Sequence, residues 1–249
     1  MLCILDNNIK FKKIKQYLTI YIETIIFITV LYNTVINGLE ENVTKPIEGV
    51  YERIVSSAKE EFLEKGYSDA SLRTIATKAE TTTGSIYSRF GGKEGLFSAI
   101  VEPTAQHVIN MFMNTQEEFH AVESDMQPQL MEKYVHSGMS EILDYIYDNF
   151  EEFQLLLDSS YGTKFQDFVE RLVEIETEYT YKYMEATDVN NENSKMITED
   201  FIHIMTRAMF ESMFEVVRHK MPKDTAVKYM KMLERYHYAG WDTIMKFNE

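Results

Sequence analysis

The stretch that most constrains this chain is residues 72–90, LRTIATKAETTTGSIYSRF. Leu72, Ile75, Ala76 and Ala79 recur at helical spacing and predict one short amphipathic helix. Glu80, Thr81 and Thr82 break the pattern, and Thr82 is a good N-cap for a second short helix over 83–89. That helix turns Ile86 and Phe90 inward and leaves Thr83, Ser85, Tyr87, Ser88 and Arg89 on its other faces. Two short helices joined by a tight turn are a helix-turn-helix. The second helix suits a duplex groove. Arg89 can meet guanine or phosphate, the hydroxyls can meet phosphates and base edges, and Gly84 permits close backbone approach.

Charge at first argues against a polyanion, because the 249 residues carry a formal net charge of −15. The charge is uneven. Residues 111–249 hold 13 Lys and Arg against 27 Asp and Glu, whereas residues 73–93 hold Arg73, Lys78, Arg89 and Lys93 against Glu80 alone. A basic face on an acidic body suppresses loose contact and confines binding to one patch. Four basic residues also describe an ordinary solvated face; the helix-turn-helix context favours DNA. Four prolines, ten glycines and few alternating stretches argue for an all-α chain. The single Cys3 excludes an internal disulfide framework and a cysteine zinc site, and fits a reducing, cytoplasmic setting.

Residues 1–45 do not match the rest. Lys10, Lys12, Lys13 and Lys15 precede an apolar run at 17–36, about the length that spans a bilayer. Lysines on that side would keep the N-terminus cytoplasmic and put the groove-reading element outside, and the run contains Glu23 and Asn33. Three readings stand: a dispensable extension, a helix packed on the body, or a membrane anchor. Lys45-Pro46 marks the boundary. Val50, Ile54, Val55, Ala58 and Phe62 then stripe a helix that Gly66 stops, and Lys93 starts a longer helix that Pro103 is expected to kink or restart.

Residues 52–100 resemble the DNA-binding domain of the TetR/AcrR family of bacterial repressors. The resemblance rests on the segments Phe62-Leu63-Glu64-Lys65-Gly66-Tyr67, Leu72-Arg73-Thr74-Ile75-Ala76, Thr82-Thr83-Gly84-Ser85-Ile86-Tyr87-Ser88-Arg89-Phe90 and Lys93-Glu94-Gly95-Leu96-Phe97. Two positions depart from the family's pattern: Glu80 stands where a turn glycine is common, and Gly92 where a serine or aspartate cap is common. The resemblance implies that Thr82, Thr83, Gly84, Ser85, Tyr87, Ser88 and Arg89 meet the major groove and its flanking phosphates. Ser71 and Arg73 would touch backbone, and Lys93 would hold a phosphate.

Beyond residue 102 the chain reads as about six further helices, with the clearest loop at 187–198. The expected organisation is therefore an extension (1–45), a helix-turn-helix DNA-binding domain (46–102) and a helical ligand-binding and dimerisation domain (103–249). Met111, Phe112, Met113, Phe119, Met139, Tyr145, Phe153, Tyr161, Tyr179 and Met205 offer soft and aromatic surface suited to an apolar or amphiphilic effector. Each alone is equally well a core residue. The acidic balance weakly favours a cationic amphiphile. By the resemblance, the last two helices pair with a second copy through Met209, Met213, Tyr229, Leu233, Tyr236 and Gly240. The homodimer would read a palindromic double-stranded operator, with recognition helices about 34–36 Å apart. The six histidines are scattered, and no motif points to catalysis, a metal or a cofactor. The expected function is a ligand-released repressor; the alternative is a helical sensor or adaptor acting through protein contacts.

Overall fold

The computed structural model describes residues 49–187 and 197–245. The expectations for residues 1–45 and most of 187–198 lie outside them. Among the described residues all regular structure is helical: α1 (Val50–Asp69), α2 (Leu72–Lys78), α3 (Thr83–Phe90), α4 (Lys93–His120), α5 (Gln127–Asp148), α6 (Phe150–Asp158), α7 (Phe168–Ala186), α8 (Glu199–Arg218) and α9 (Lys223–Met245). None of them is long and apolar enough to cross a membrane.

Helix α1 is broken where Gly66 takes φ 71°, so its regular part ends at Lys65 and a separate turn leads to α2. Its inward stripe, Ile54, Ala58 and Phe62, is fully buried. Helix α4 is the axis of the molecule. Its first turns bury Leu96 and Phe97 beneath the helix-turn-helix, and Phe97 packs edge-on to Phe62 at 5.1 Å. Farther along it packs against α5, α6 and α7.

The expected interruption at Pro103 is absent, since α4 is one 28-residue helix containing that proline. The missing N–H forfeits only a bond to the carbonyl of Ala99, which lies on the exposed side. Burial of Ile100, Val101, Thr104 and Ala105 keeps the helix continuous across the gap. Helices α7, α8 and α9 complete the body. Phe168, Leu172 and Val173 are the buried residues of α7, while Val169 and Ile175 are only half-buried. Phe210, Phe214, Val216 and Val217 of α8 form much of the core beneath it.

Candidate nucleic-acid interface and internal cavity

The helix-turn-helix is held by caps its own sequence supplies. Ser71 Oγ accepts from the Thr74 amide at the start of α2, and Thr82 Oγ1 accepts from the Ser85 amide at 3.1 Å at the start of α3. Helix α2 ends in a Schellman turn: the Glu80 amide donates to the Thr77 carbonyl and the Thr81 amide to the Ala76 carbonyl. Glu80 is the left-handed residue of that turn, at φ 51°, where glycine would sit without steric cost. Arg53 ties the same corner to α1 by donating from Nε to the Ala79 carbonyl at 3.2 Å.

A buried carboxylate secures the other end of α2. Glu61 Oε1 accepts from the Ser71 amide at 3.2 Å and from Lys65 Nζ at 2.9 Å, with its side chain fully covered. Burial alone would raise this carboxyl, but Lys65, the Ser71 amide and Lys78 reverse the effect and hold it below the ordinary value.

On α3, Ile86 is buried and Phe90 leans on Tyr51, with ring centroids 5.4 Å apart. Thr82, Thr83, Gly84, Tyr87, Ser88 and Arg89 are exposed together, with Ser85 half-covered among them and Arg73 exposed on α2. Arg89 Nε lies along the helix, donating to Ser85 Oγ at 3.4 Å. Tyr87 is 59% exposed and its ring rests over Gly92, where an added Cβ would come within 3.2 Å of it. This face offers hydroxyls, a phenol and a guanidinium on one rigid short helix.

Lys93 is placed otherwise than expected. Its ammonium donates to the carbonyls of Ser68 at 2.9 Å and Ala70 at 3.1 Å, and stands 4.8 Å over the Tyr67 ring. It braces the α1–α2 corner, and a phosphate would have to compete with those two bonds. Gly95 carries a role the sequence did not reveal. A Cβ there would fall 1.7 Å from the Phe90 carbonyl oxygen, so only glycine lets α4 start against the end of α3. Its place in the matching motif was visible, but the close approach that demands it was not.

The same corner is bonded to the body. The Tyr67 amide donates to the Ser159 carbonyl at 3.0 Å, and Lys59 of α1 pairs with Glu151 and Glu152 of α6.

A cavity of about 560 Å³ opens among α4, α5, α7, α8 and α9. Met111, Phe112, Phe119, Met139 and Tyr179 of the expected set line it. The others do not. Phe153 is fully buried between Tyr145 and Phe214, and Tyr145 stacks on His107 at 4.3 Å. Tyr161 is 81% exposed, and Met113 and Met205 are half-buried outside the cavity lining. Apolar periodicity marks a face that must be covered, not whether a neighbour or a void covers it.

That ambiguity also displaces part of the expected pairing surface. Met209 and Met213 line the cavity, and Met213 is only 2% exposed. Tyr229 donates its hydroxyl to the Ser212 carbonyl at 2.8 Å, joining α9 to α8 in the same chain, and Leu233 is half-buried. Tyr236 and Gly240 do face outward, with Ile204 and Met232 also exposed.

Polar residues missed by the sequence reading also reach the cavity. Gln116, Glu176, Glu234 and His237 are among its walls, with the chain's single tryptophan, Trp241. Gln116 Nε2 donates to Glu176 Oε2 at 2.5 Å. Burial pushes the Glu176 carboxyl up to about 7, with the Gln116 amide opposing the rise.

Residues 54–100 match the family model of bacterial regulatory proteins, tetR family. The chain is similar to the uncharacterized HTH-type transcriptional regulator YvdT of Bacillus subtilis (strain 168), at 38% identity over 66 residues. That match covers 26% of this chain and 34% of the relative, so the chain spans about a third of the length of the curated relative it matches. Among solved structures it resembles a bacterial regulatory protein in the tetR family from Rhodococcus RHA1. The identity is 18% and the TM-score 0.51, over 78% of this chain and 97% of that one, a likeness of fold alone.

Proposed function

We propose that the chain, whose residues 54–100 match the model of bacterial regulatory proteins of the tetR family, is a DNA-binding transcription regulator of that family, a repressor released from DNA by a small apolar or amphiphilic molecule. The observation that carries this reading is the course of α4. One uninterrupted helix buries Leu96 and Phe97 beneath the exposed face of α3 and, four turns on, lines the cavity with Met111, Phe112, Gln116 and Phe119. A ligand that moves the far half of α4 must therefore tilt the near half and, through Gly95, α3. A ligand preferring the tilted state by about 100-fold supplies about 2.7 kcal/mol of coupling, enough to empty a marginally occupied site.

In this reading residues 46–102 form the DNA-binding domain and residues 103–249 the effector-binding and dimerisation domain, acting in the cytoplasm. Ser71, Arg73, Thr82, Thr83, Gly84, Ser85, Tyr87, Ser88 and Arg89 contact the operator. The outward apolar residues Ile204, Met232, Tyr236 and Gly240 of α8 and α9 pair with a second copy, which makes the operator palindromic.

The test is DNA binding by the full chain to sequences selected from a random duplex pool, at two salt concentrations. Affinity should fall steeply with salt. Arg89→Ala should cost about 1–3 kcal/mol and relax the selected sequence at one position. Tyr87→Ala should weaken all sequences alike. If no duplex is selected, or both variants match the parent, the face on α3 does not read DNA.

A further inference from the structure

We propose that the cavity takes an apolar cation, with Glu176 as its counter-ion. This names the ligand class for the effector reading above and rests on it.

The walls carry charge of one sign. From α5 comes Glu141, from α7 Glu176, and from α9 Glu234 and Asp242, while among the described residues no lysine or arginine lines the space. Two histidines face it, His120 on α4 and His237 on α9; burial, aided at His120 by the nearby Lys182 ammonium, holds both below the ordinary histidine value and disfavours their charged forms. Glu234 is paired on the outside with His136 at 3.0 Å. The remaining titratable groups are phenols, Tyr134 of α5, Tyr179 and Tyr183 of α7 and Tyr238 of α9, and the one wall from α8 is uncharged.

Glu176 has Gln116 as its hydrogen-bond donor and, among the described residues, no basic side chain bonded to it. It is half-buried and stands among the residues that line the cavity. A carboxylate desolvated in that position must either hold a proton or meet a positive charge. The surrounding surface favours the second when a suitable molecule is present. Phe119, Tyr134 and Trp241 present aromatic rings, which attract a desolvated cation over their faces, as the Tyr179 ring already holds the Lys182 ammonium at 4.1 Å. Met111, Met139, Met209 and Met213 give a pliable apolar wall. An anion would face the acidic side chains of Glu141, Glu234 and Asp242, with Lys182 behind Tyr179 as the one nearby ammonium among the described residues.

A proton is then displaced by the ligand. Glu176 titrates near 7, so at pH 6 it is mostly neutral and at pH 8 mostly ionised. Cation affinity rises across that interval, and binding at pH 7 releases the Glu176 proton to the buffer.

The full chain, free of DNA, is titrated with tetraphenylphosphonium and with its isosteric anion tetraphenylborate, read by Trp241 fluorescence and by calorimetry in buffers of different ionisation enthalpy. The cation should bind, with proton release at pH 7, and the anion should not. Glu176→Gln keeps the shape and a partner for Gln116; it should lower cation affinity at pH 8 by about tenfold or more and flatten the pH profile. Gln116→Met removes the bond that favours the ionised form and should move the pH midpoint upward, which tests the site even if Glu176→Gln folds poorly. Equal binding of both ions, or Glu176→Gln with the parent's affinity and pH profile, overturns the proposal. Operator release is measured separately. A cation that binds without releasing DNA leaves this proposal standing and removes the switch. A neutral compound that releases DNA where cations do not bind does the reverse.

Discussion

The helix-turn-helix corner and the cavity half of the molecule are both helical, yet they are held together by opposite means. The corner is built from short elements whose ends are tied by polar groups close in sequence: Ser71 and Thr82 as caps, the Schellman turn through Glu80, and Glu61 beneath the Ser71 amide. Two helices of 7 and 8 residues could not stand without such ties. The cavity half uses long helices and aromatic packing, as in the cluster of Phe153, Phe168 and Phe214, and leaves a void at its centre. Polar ties fix a surface to a few tenths of an ångström; side-chain packing around a hole leaves room for a guest. A reading surface needs the first property and a sensing one the second.

The contrast can be broken most directly in the body. Phe153→Ala removes a fully buried ring between Tyr145 and Phe214 and should cost about 3–5 kcal/mol in urea unfolding. Tyr161→Ala, at a residue 81% exposed, should stay within about 0.5 kcal/mol of the parent. Similar costs for the two would mean that the body is not packed as described.

In the corner, Glu61→Gln should destabilise by about 1–3 kcal/mol, since it weakens the bonds to Lys65 and the Ser71 amide. The carboxyl's value is depressed in the fold, so its contribution is present above the ordinary glutamate value and is lost as pH falls through the lower, folded one. Thermal unfolding of parent and variant should therefore draw together as pH falls below the ordinary glutamate value. Curves that stay parallel down to pH 3 would show that Glu61 is not ionised in its niche.

One expected effect has the opposite sign. Glu80→Gly relieves a left-handed backbone and should stabilise by about 1 kcal/mol. A loss of stability would mean that the Glu80 side chain contributes more than its backbone costs.

How much was legible follows the same division. The caps, the Gly66 stop and the inward Ile86 could be read because each depends on residues within a few positions of one another. Glu80 was visible as a departure from the family's turn glycine, and its positive φ is the physical form of that departure. The bracing bonds of Lys93 were not legible because the carbonyls it serves, at Ser68 and Ala70, are over 20 residues away. In the cavity half, helix positions were readable but their partners were not. Met209 and Met213 lie on an apolar stripe that suits a pairing surface and a cavity wall equally, and only the approach of α9 and α7 decides between them. Glu176 reads in sequence as one acid among many on α7; its desolvation is a property of the assembled bundle.

The unbroken α4 also bears on modularity. On the proposed division at residue 102, the boundary between the DNA-binding and effector-binding parts would fall inside a helix, near Pro103, rather than in a linker. A reading head from this chain cannot be spliced to a foreign sensor at a loop; the graft has to preserve helical phase, because each residue inserted or deleted after Lys93 turns everything downstream by about 100° around the helix axis. Hybrid regulators made at this joint should therefore work at some insertion lengths and fail at others, with the period of the helix.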